Sequence, residues 1–362
     1  MHHHSLRRYW IKTIILFLIA LAIKLFSLNH TLVEELYSTG VYNFISSALR
    51  ILTGRIPFSI GDILYAVAII WIIVKVIRQL VALFRRQVTK KSFMRGVIKT
   101  LNLLLIIYII FYAAWGLNYD RKGIAAQLQL QPENETTQDL SALTDSLLLK
   151  VNNIRRSLGD TVQYESYQTV FKQSIAAYSS AQQQYPFLKY RFSSVKSSLY
   201  STLGNYLGFS GYYNPFSGEA QVCTENVPAF LLPYITCHEI AHQLGYGTED
   251  EANFTGYLAA KFSRDQRFQY SLYFGLFSYA NNTLFLYDSV AARDNYRQLD
   301  TLVRKDIAEY RRFLRRYKNP LEPLFTTLYG NYLKANNQPE GIETYNRVVA
   351  WLIAYQKKYG TL

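Results

Sequence analysis

The sequence has 362 residues, half of them apolar, so one or two domains with a sizeable core are available to it. A formal charge of +14 raises nucleic acid as a partner, but Arg7, Arg8, Lys12, Arg85, Arg86, Lys90, Lys91, Arg95 and Lys99 flank long apolar runs. With no RNA- or DNA-binding motif present, that charge reports membrane topology, and no nucleic acid is expected. Cys223 and Cys237 are too few for a disulfide framework and lack zinc-ribbon spacing.

In chain order, the N-terminal tract His2, His3 and His4 is set aside, and the stretch 10–28 is long enough to span a bilayer. No small-x-small cleavage site follows it cleanly, so a retained anchor is expected over a signal peptide. A second span is expected over 60–83, with Lys75 and Arg78 towards the end where snorkelling is cheap. A third, over 97–115, ends in Trp115 and Tyr119, residues suited to the membrane interface. The basic segment 85–99 then lies inside, and the loop 29–59 and everything after Trp115 lie outside. The expected division is a membrane domain over 1–117 and an extracytoplasmic domain over 118–362.

Helical apolar spacing predicts helices over 140–158 and 166–185, the second stopped by Pro186. Residues 191–226 read as strands and loops, and helices return over 233–244, 249–262, from 268 onward, over 299–317 and over 341–359. The fold class is therefore α+β, mainly helical, with a small sheet. Arg311, Arg312, Arg315, Arg316 and Lys318 read as a solvated helix face.

The chemistry is concentrated in Cys237-His-Glu-Ile-Ala-His-Gln-Leu-Gly-Tyr-Gly-Thr-Glu-Asp-Glu-Ala-Asn253. On a helix His238 and His242 share a face and can bind one ion, Zn2+, while Glu239 reaches a water there and acts as general base. The HExxH pattern arises by chance in on the order of one in a hundred chains of this length, so its context matters. Apart from the N-terminal tract and His30, these are the only histidines. Ile240, Ala241 and Leu244 give the helix an apolar face, and Gly245 provides a stop.

Catalytic zinc usually takes a third protein ligand. An astacin- or matrixin-like third histidine would fall at Thr248, which excludes that subclass and leaves a carboxylate from the next helix. Glu249 and Glu251 compete. A capping box from Thr248 to Glu251 would occupy Glu251 and leave Glu249 for the metal. Ala252 and Gly256 are small enough for close packing against the HExxH helix.

Glu249-x-x-Ala252-Asn253 resembles the ExxA(D/N) element of gluzincins, in which the first Glu is the third zinc ligand and the last residue orients a zinc-binding His. Here that role would fall to Asn253. Over nearly its whole length, including the segment Ile56-Pro-Phe-Ser-Ile-Gly-Asp-Ile63 and Trp115-Gly-Leu-Asn-Tyr119, the chain resembles an uncharacterised family of bacterial envelope proteins. These have three N-terminal spans and a C-terminal HExxH, zincin-like domain. The resemblance implies a multi-pass protein of the bacterial inner membrane with its C-terminal domain in the periplasm.

The stretch 218–226 alternates like a strand, and by analogy with zincins it is the expected substrate-binding edge, with Gln221 and Cys223 facing a peptide. Tyr345 is the expected oxyanion stabiliser. Cys223 and Cys237 are open to pairing in an exported domain. The expected function is zinc-dependent hydrolysis of peptide bonds in a protein or peptide substrate at the lipid bilayer. The alternatives are a catalytically silent zincin-like domain that binds a partner or peptide, and a hydrolase of cell-wall peptide.

Overall fold

The apolar runs become helices whose ends are set by local caps. The structure, a computed structural model, describes residues 6–131, 135–336, 338 and 347–362. It begins with α1 (Leu6–Ser27), a π-helical segment (Val33–Val41), α2 (Tyr42–Gly54), α3 (Ile60–Phe84) and α4 (Lys90–Ala114). Helices α1, α3 and α4 are each long and apolar enough to cross a membrane. The third starts at Lys90, ahead of its apolar run, because Thr89 and Ser92 cap each other's backbone there. At the N-terminus of α3, the buried Glu219 carboxylate accepts from the N–H groups of Ile60 (3.1 Å) and Gly61 (2.6 Å). An anion at the positive end of a helix dipole ties this helix to the sheet.

Helices α1 and α4 pack together, with Thr13 Oγ1 donating to Asn102 Oδ1 at 2.8 Å. Within α3, by contrast, the buried residues are Gly61 and Asp62 of the first turn. The segment read as a loop over 29–59 is largely helical, and it packs on the later part of the chain. Arg50 Nε donates to Arg191 O (3.1 Å), Thr53 Oγ1 meets Ser194 Oγ (2.8 Å), and Glu34 pairs with Arg121 (2.7 Å). The expected division at residue 117 follows the end of the third apolar helix, but these contacts cross it.

The remainder comprises α5 (Thr137–Ser157), α6 (Tyr167–Ala181), β1 (Val195–Ser197), α7 (Ser201–Leu207), β2 (Gly211–Asn214), β3 (Glu219–Val222), α8 (Leu232–Gln243), α9 (Glu249–Ala260), α10 (Gln266–Tyr287), α11 (Ser289–Gln298), α12 (Thr301–Tyr317), α13 (Leu321–Ala335) and α14 (Arg347–Tyr359). The protein is mainly helical with one three-stranded sheet of order β1-β3-β2. Strand β3 runs parallel to β1 (Val195 beside Ala220) and antiparallel to β2 (Tyr212 beside Gln221).

The sheet corrects the expected substrate strand. β3 is central, so both of its edges are paired, and Gln221 and Cys223 are fully buried. Gln221 donates to Ser59 at the start of α3, and Cys223 lies under Gly204. Cys223 and Cys237 are free, buried thiols pushed up to about 12 by burial, and no disulfide joins them. The basic residues of α12 form an exposed face, as expected. Helix α13 was not foreseen, and Tyr345 lies outside the described residues.

Candidate metal centre

Helix α8 starts with Pro233 in its first turn, where a missing N–H costs nothing. It ends on a left-handed Gly245 (φ 85°), with Gly245 N–H bonded to His242 O (3.0 Å) and Tyr246 N–H to Ala241 O (3.2 Å). That pair of bonds is a Schellman stop, and it reverses the chain within a few residues. Helix α9 then packs back on α8 at Gly256, where a Cβ would stand 3.2 Å from His238 N. The close approach brings the first residue of α9, Glu249, to the two histidines.

His238 Nε2 lies 3.1 Å from His242 Nε2 and 3.1 Å from Glu249 Oε2, and His242 Nε2 lies 3.9 Å from the same oxygen. Among the described residues these are the His, Cys, Asp and Glu side chains close enough together to hold an ion. Each imidazole is oriented from behind. His242 Nδ1 meets the Tyr246 carbonyl at 2.7 Å, and His238 Nδ1 meets Asn253 Oδ1 at 3.0 Å. A carbonyl only accepts, so each Nδ1 carries the proton, and in the neutral rings both Nε2 lone pairs are left facing each other and the Glu249 carboxylate. Three electron-rich atoms converging in a buried site require a cation between them, a proton or a metal ion.

The charges respond to that convergence. Burial would raise Glu249, but the His238 hydrogen bond and charge, then His242 and Tyr329, hold it down at about 2. Burial and the neighbouring His238 lower His242 to about 4. For His238, burial is outweighed by the bond to Glu249, and its pKa is raised. Burial pushes Glu239 up to about 8, with Glu249 adding to it and His238 opposing it. Glu239 Oε2 is buried with no hydrogen-bond partner. Its other oxygen faces β2, where a Cβ on Gly211 would come within 2.5 Å. Thus β2, an outer strand of the sheet, borders Glu239 in the place expected of β3.

Glu251 points elsewhere, and the expected capping box is absent: Thr248 makes no side-chain cap bond. Instead Glu251 Oε1 accepts from Ile124 N–H (3.0 Å) beside Arg121, and burial raises its pKa to about 8. The Ile124 N–H and the nearby Arg121 charge, both in the segment after α4, draw the carboxylate away from its own helix end. The structure therefore places Glu249, not Glu251, beside His238 and His242, with Asn253 behind His238.

The chain belongs to the DUF3810 family. That family is described as a protein of unknown function, and its profile matches residues 37–353, a span that contains α3, α4 and the cluster of His238, His242 and Glu249. No curated protein and no solved structure matches the chain.

In this DUF3810 chain the site is also tied to the apolar helices. A helix C-terminus leaves carbonyls without partners, and here they are met by residues distant in sequence. Trp115 Nε1 donates to His242 O (3.0 Å), Tyr42 Oη and Arg50 Nη1 both donate to Gln243 O (2.9 Å each), and Arg121 Nη1 donates to Gly245 O (3.0 Å). On the other side Tyr329 of α13 donates to Glu249 Oε1, and Tyr332 meets Tyr119 at 3.1 Å. Nothing local in the sequence marks Tyr329, one of 31 tyrosines and part of no motif. Trp115 was read only as an interfacial anchor.

Proposed function

We propose that the chain is a membrane-anchored, zinc-dependent peptidase of zincin-like, gluzincin type. His238, His242 and Glu249 would hold the metal, and Glu239 would act as general base. The observation that carries this reading is the convergence of two oriented Nε2 lone pairs and one carboxylate oxygen beside a second, unpartnered buried carboxylate. Two nitrogens and one oxygen are a donor set that suits zinc. When bound, zinc supplies Lewis acidity that brings the pKa of a water towards 7 and polarises a carbonyl.

The chain's own residues do the rest. Glu239 takes the proton of the attacking water and returns it to the leaving amine. Asn253 and the Tyr246 carbonyl fix the imidazole tautomers, and Tyr329 positions Glu249. An extended peptide laid along β2 would bring a carbonyl to Glu239, with backbone pairing for affinity and Gly211 leaving room for the carboxylate.

The basic segment 85–99 favours an inner-membrane orientation with the metal site on the outer, periplasmic face. A reporter fused after Tyr119 should be exported and one fused near Lys90 retained; the reverse would put the site in the cytosol.

A silent binding domain is the rival reading. A base held unpartnered at considerable cost beside the metal donors favours hydrolysis. The test is turnover of a peptide library by the full chain in nanodiscs. Activity should vanish with a zinc chelator, return with zinc, and fall by about 10²–10⁴-fold in Glu239→Gln, which keeps the shape of the side chain but accepts no proton. Undiminished turnover in that variant would remove the mechanism, and peptide binding without turnover in the zinc-loaded wild type would favour the rival.

A further inference from the structure

Helix α13 covers little of itself with protein: of its 15 residues only Leu333 is buried. Glu322 and Lys334 are its only charged residues, and Leu321, Leu324 and Leu328, spaced i, i+3 and i+7, make one exposed apolar stripe. The adjoining face carries Phe325, Tyr329 and Tyr332, whose rings stack in turn and meet the protein at Phe209, Glu249 and Tyr119. Thr326, Thr327, Asn331 and Lys334 occupy the far side and are exposed. At about 1.5 Å per residue the helix falls short of a hydrocarbon core roughly 30 Å thick. A helix with an apolar stripe, a polar face and too little length to span belongs in the plane of a bilayer surface.

Helix α7 packs on α13 and extends the stripe with Leu203, and Leu199 just before α7 is exposed as well. Bonds to the apolar helices set the level of these side chains. Leu199 N–H donates to Asp62 Oδ2 (2.7 Å), and Tyr200 Oη donates to Asp62 O (2.8 Å). Asp62 is the last buried residue of α3, and from Ile63 onward the large aliphatic side chains of that helix are exposed. Hydrocarbon therefore begins one residue beyond the anchor of Leu199. At the other end of α13, Tyr112 in the last turn of α4 donates to Asn336 (3.0 Å), and Tyr332 lies within electrostatic range of Tyr65 in the second turn of α3. Both α7 and α13 are thus pinned where the lipid-facing lengths of α3 and α4 end.

We propose that α7 and α13 form an interfacial surface in which Leu199, Leu203, Leu321, Leu324 and Leu328 enter the leaflet at the end where α3 begins. The occupant is phospholipid: continuity with the lipid-facing length of α3 selects it over a soluble partner or a second copy of the chain. The surface stands whether or not the peptidase reading does. Because α13 also carries Tyr329, the bilayer seats the helix that holds Glu249.

The test uses the purified full chain in nanodiscs. Phosphatidylcholine with a photoactivatable group in the upper acyl chain is irradiated, and adducts are mapped on the unmutated protein by mass spectrometry. Adducts are expected in 199–207 and 321–328 as well as in α1, α3 and α4, and not around Leu149, which is exposed on α5, a helix packed on α10, α12 and α14. Adducts confined to the three long apolar helices, or equally dense around Leu149, would overturn the proposal. A second measurement places an environment-sensitive fluorophore on a cysteine at Leu203, Leu324 or Leu328, with Leu149 as control; the native Cys223 and Cys237 are buried. A nitroxide lipid should quench the first three at least about twofold more than the control, since an interfacial helix seats its apolar face roughly 5–10 Å into the headgroup and acyl boundary. Equal quenching at all positions would leave this face in water. Fluorophore contact between two chains in place of lipid quenching would make it an interface between copies, and either result ends the proposal.

Discussion

Helices α9 and α3 invert the usual relation between polarity and burial. Helix α9 opens with Glu249, Asp250 and Glu251 and is buried along its entire length, whereas α3 is apolar and exposed beyond its first turn. An exposed apolar helix of this length implies lipid as its surroundings. A buried turn of three acids implies that each has a specific partner. Glu249 has the histidines and Tyr329, Asp250 accepts from Glu251 N–H (3.0 Å), and Glu251 accepts from Ile124. Only the Glu249 partners leave room for an added ion, and that singles out one of three adjacent carboxylates.

On α3, Ile70 is exposed near mid-helix. Ile70→Lys should cost about 3–4 kcal/mol of insertion, read as a loss of membrane-integrated protein; an unaffected yield would mean that this face does not meet hydrocarbon. On α9, Glu251→Ala should cost about 1–3 kcal/mol of stability by leaving the buried Ile124 N–H without its acceptor, measured by denaturation in detergent. No loss would mean that the buried acid is not held as described.

A finer version concerns protons. Folded Glu251 keeps its proton to about 8, against 4.5 ordinarily. Both states are protonated below the lower value. Above it the unfolded chain ionises first, so stability declines as pH rises from 4.5 to about 8 and levels off beyond. Glu251→Gln should remove that part of the decline, and an unchanged pH profile would count against the burial of this group. The smallest expected effect is Trp115→Phe, which keeps the aromatic contact but loses the bond to His242 O, at about 0.5–1.5 kcal/mol with the metal retained.

What was legible in the sequence follows the range of the interactions. The apolar helices needed only their own composition, and the histidine pair only one turn of helix. Gly245 and Gly256 could be read as a stop and a close contact because both act on adjacent elements. The choice between Glu249 and Glu251 turned on Ile124 and Arg121, far upstream, and a local capping pattern pointed to a bond that is not made. Strand order is a long-range property too: alternation in 218–226 marks a strand but not its place, and β2 is the outer strand beside Glu239. The segment 29–59 read as a loop because its helices are stabilised by partners such as Gln243 and Arg191, invisible locally.

The central claim is that His238, His242 and Glu249 form one zinc site from which Glu251 is excluded. Elemental analysis of the purified full chain should find about one zinc per chain in the wild type and in Glu251→Ala, none in His238→Ala, and an affinity lower by orders of magnitude in Glu249→Ala. Zinc retained in His238→Ala and Glu249→Ala, or lost from Glu251→Ala but kept in Glu249→Ala, would contradict it.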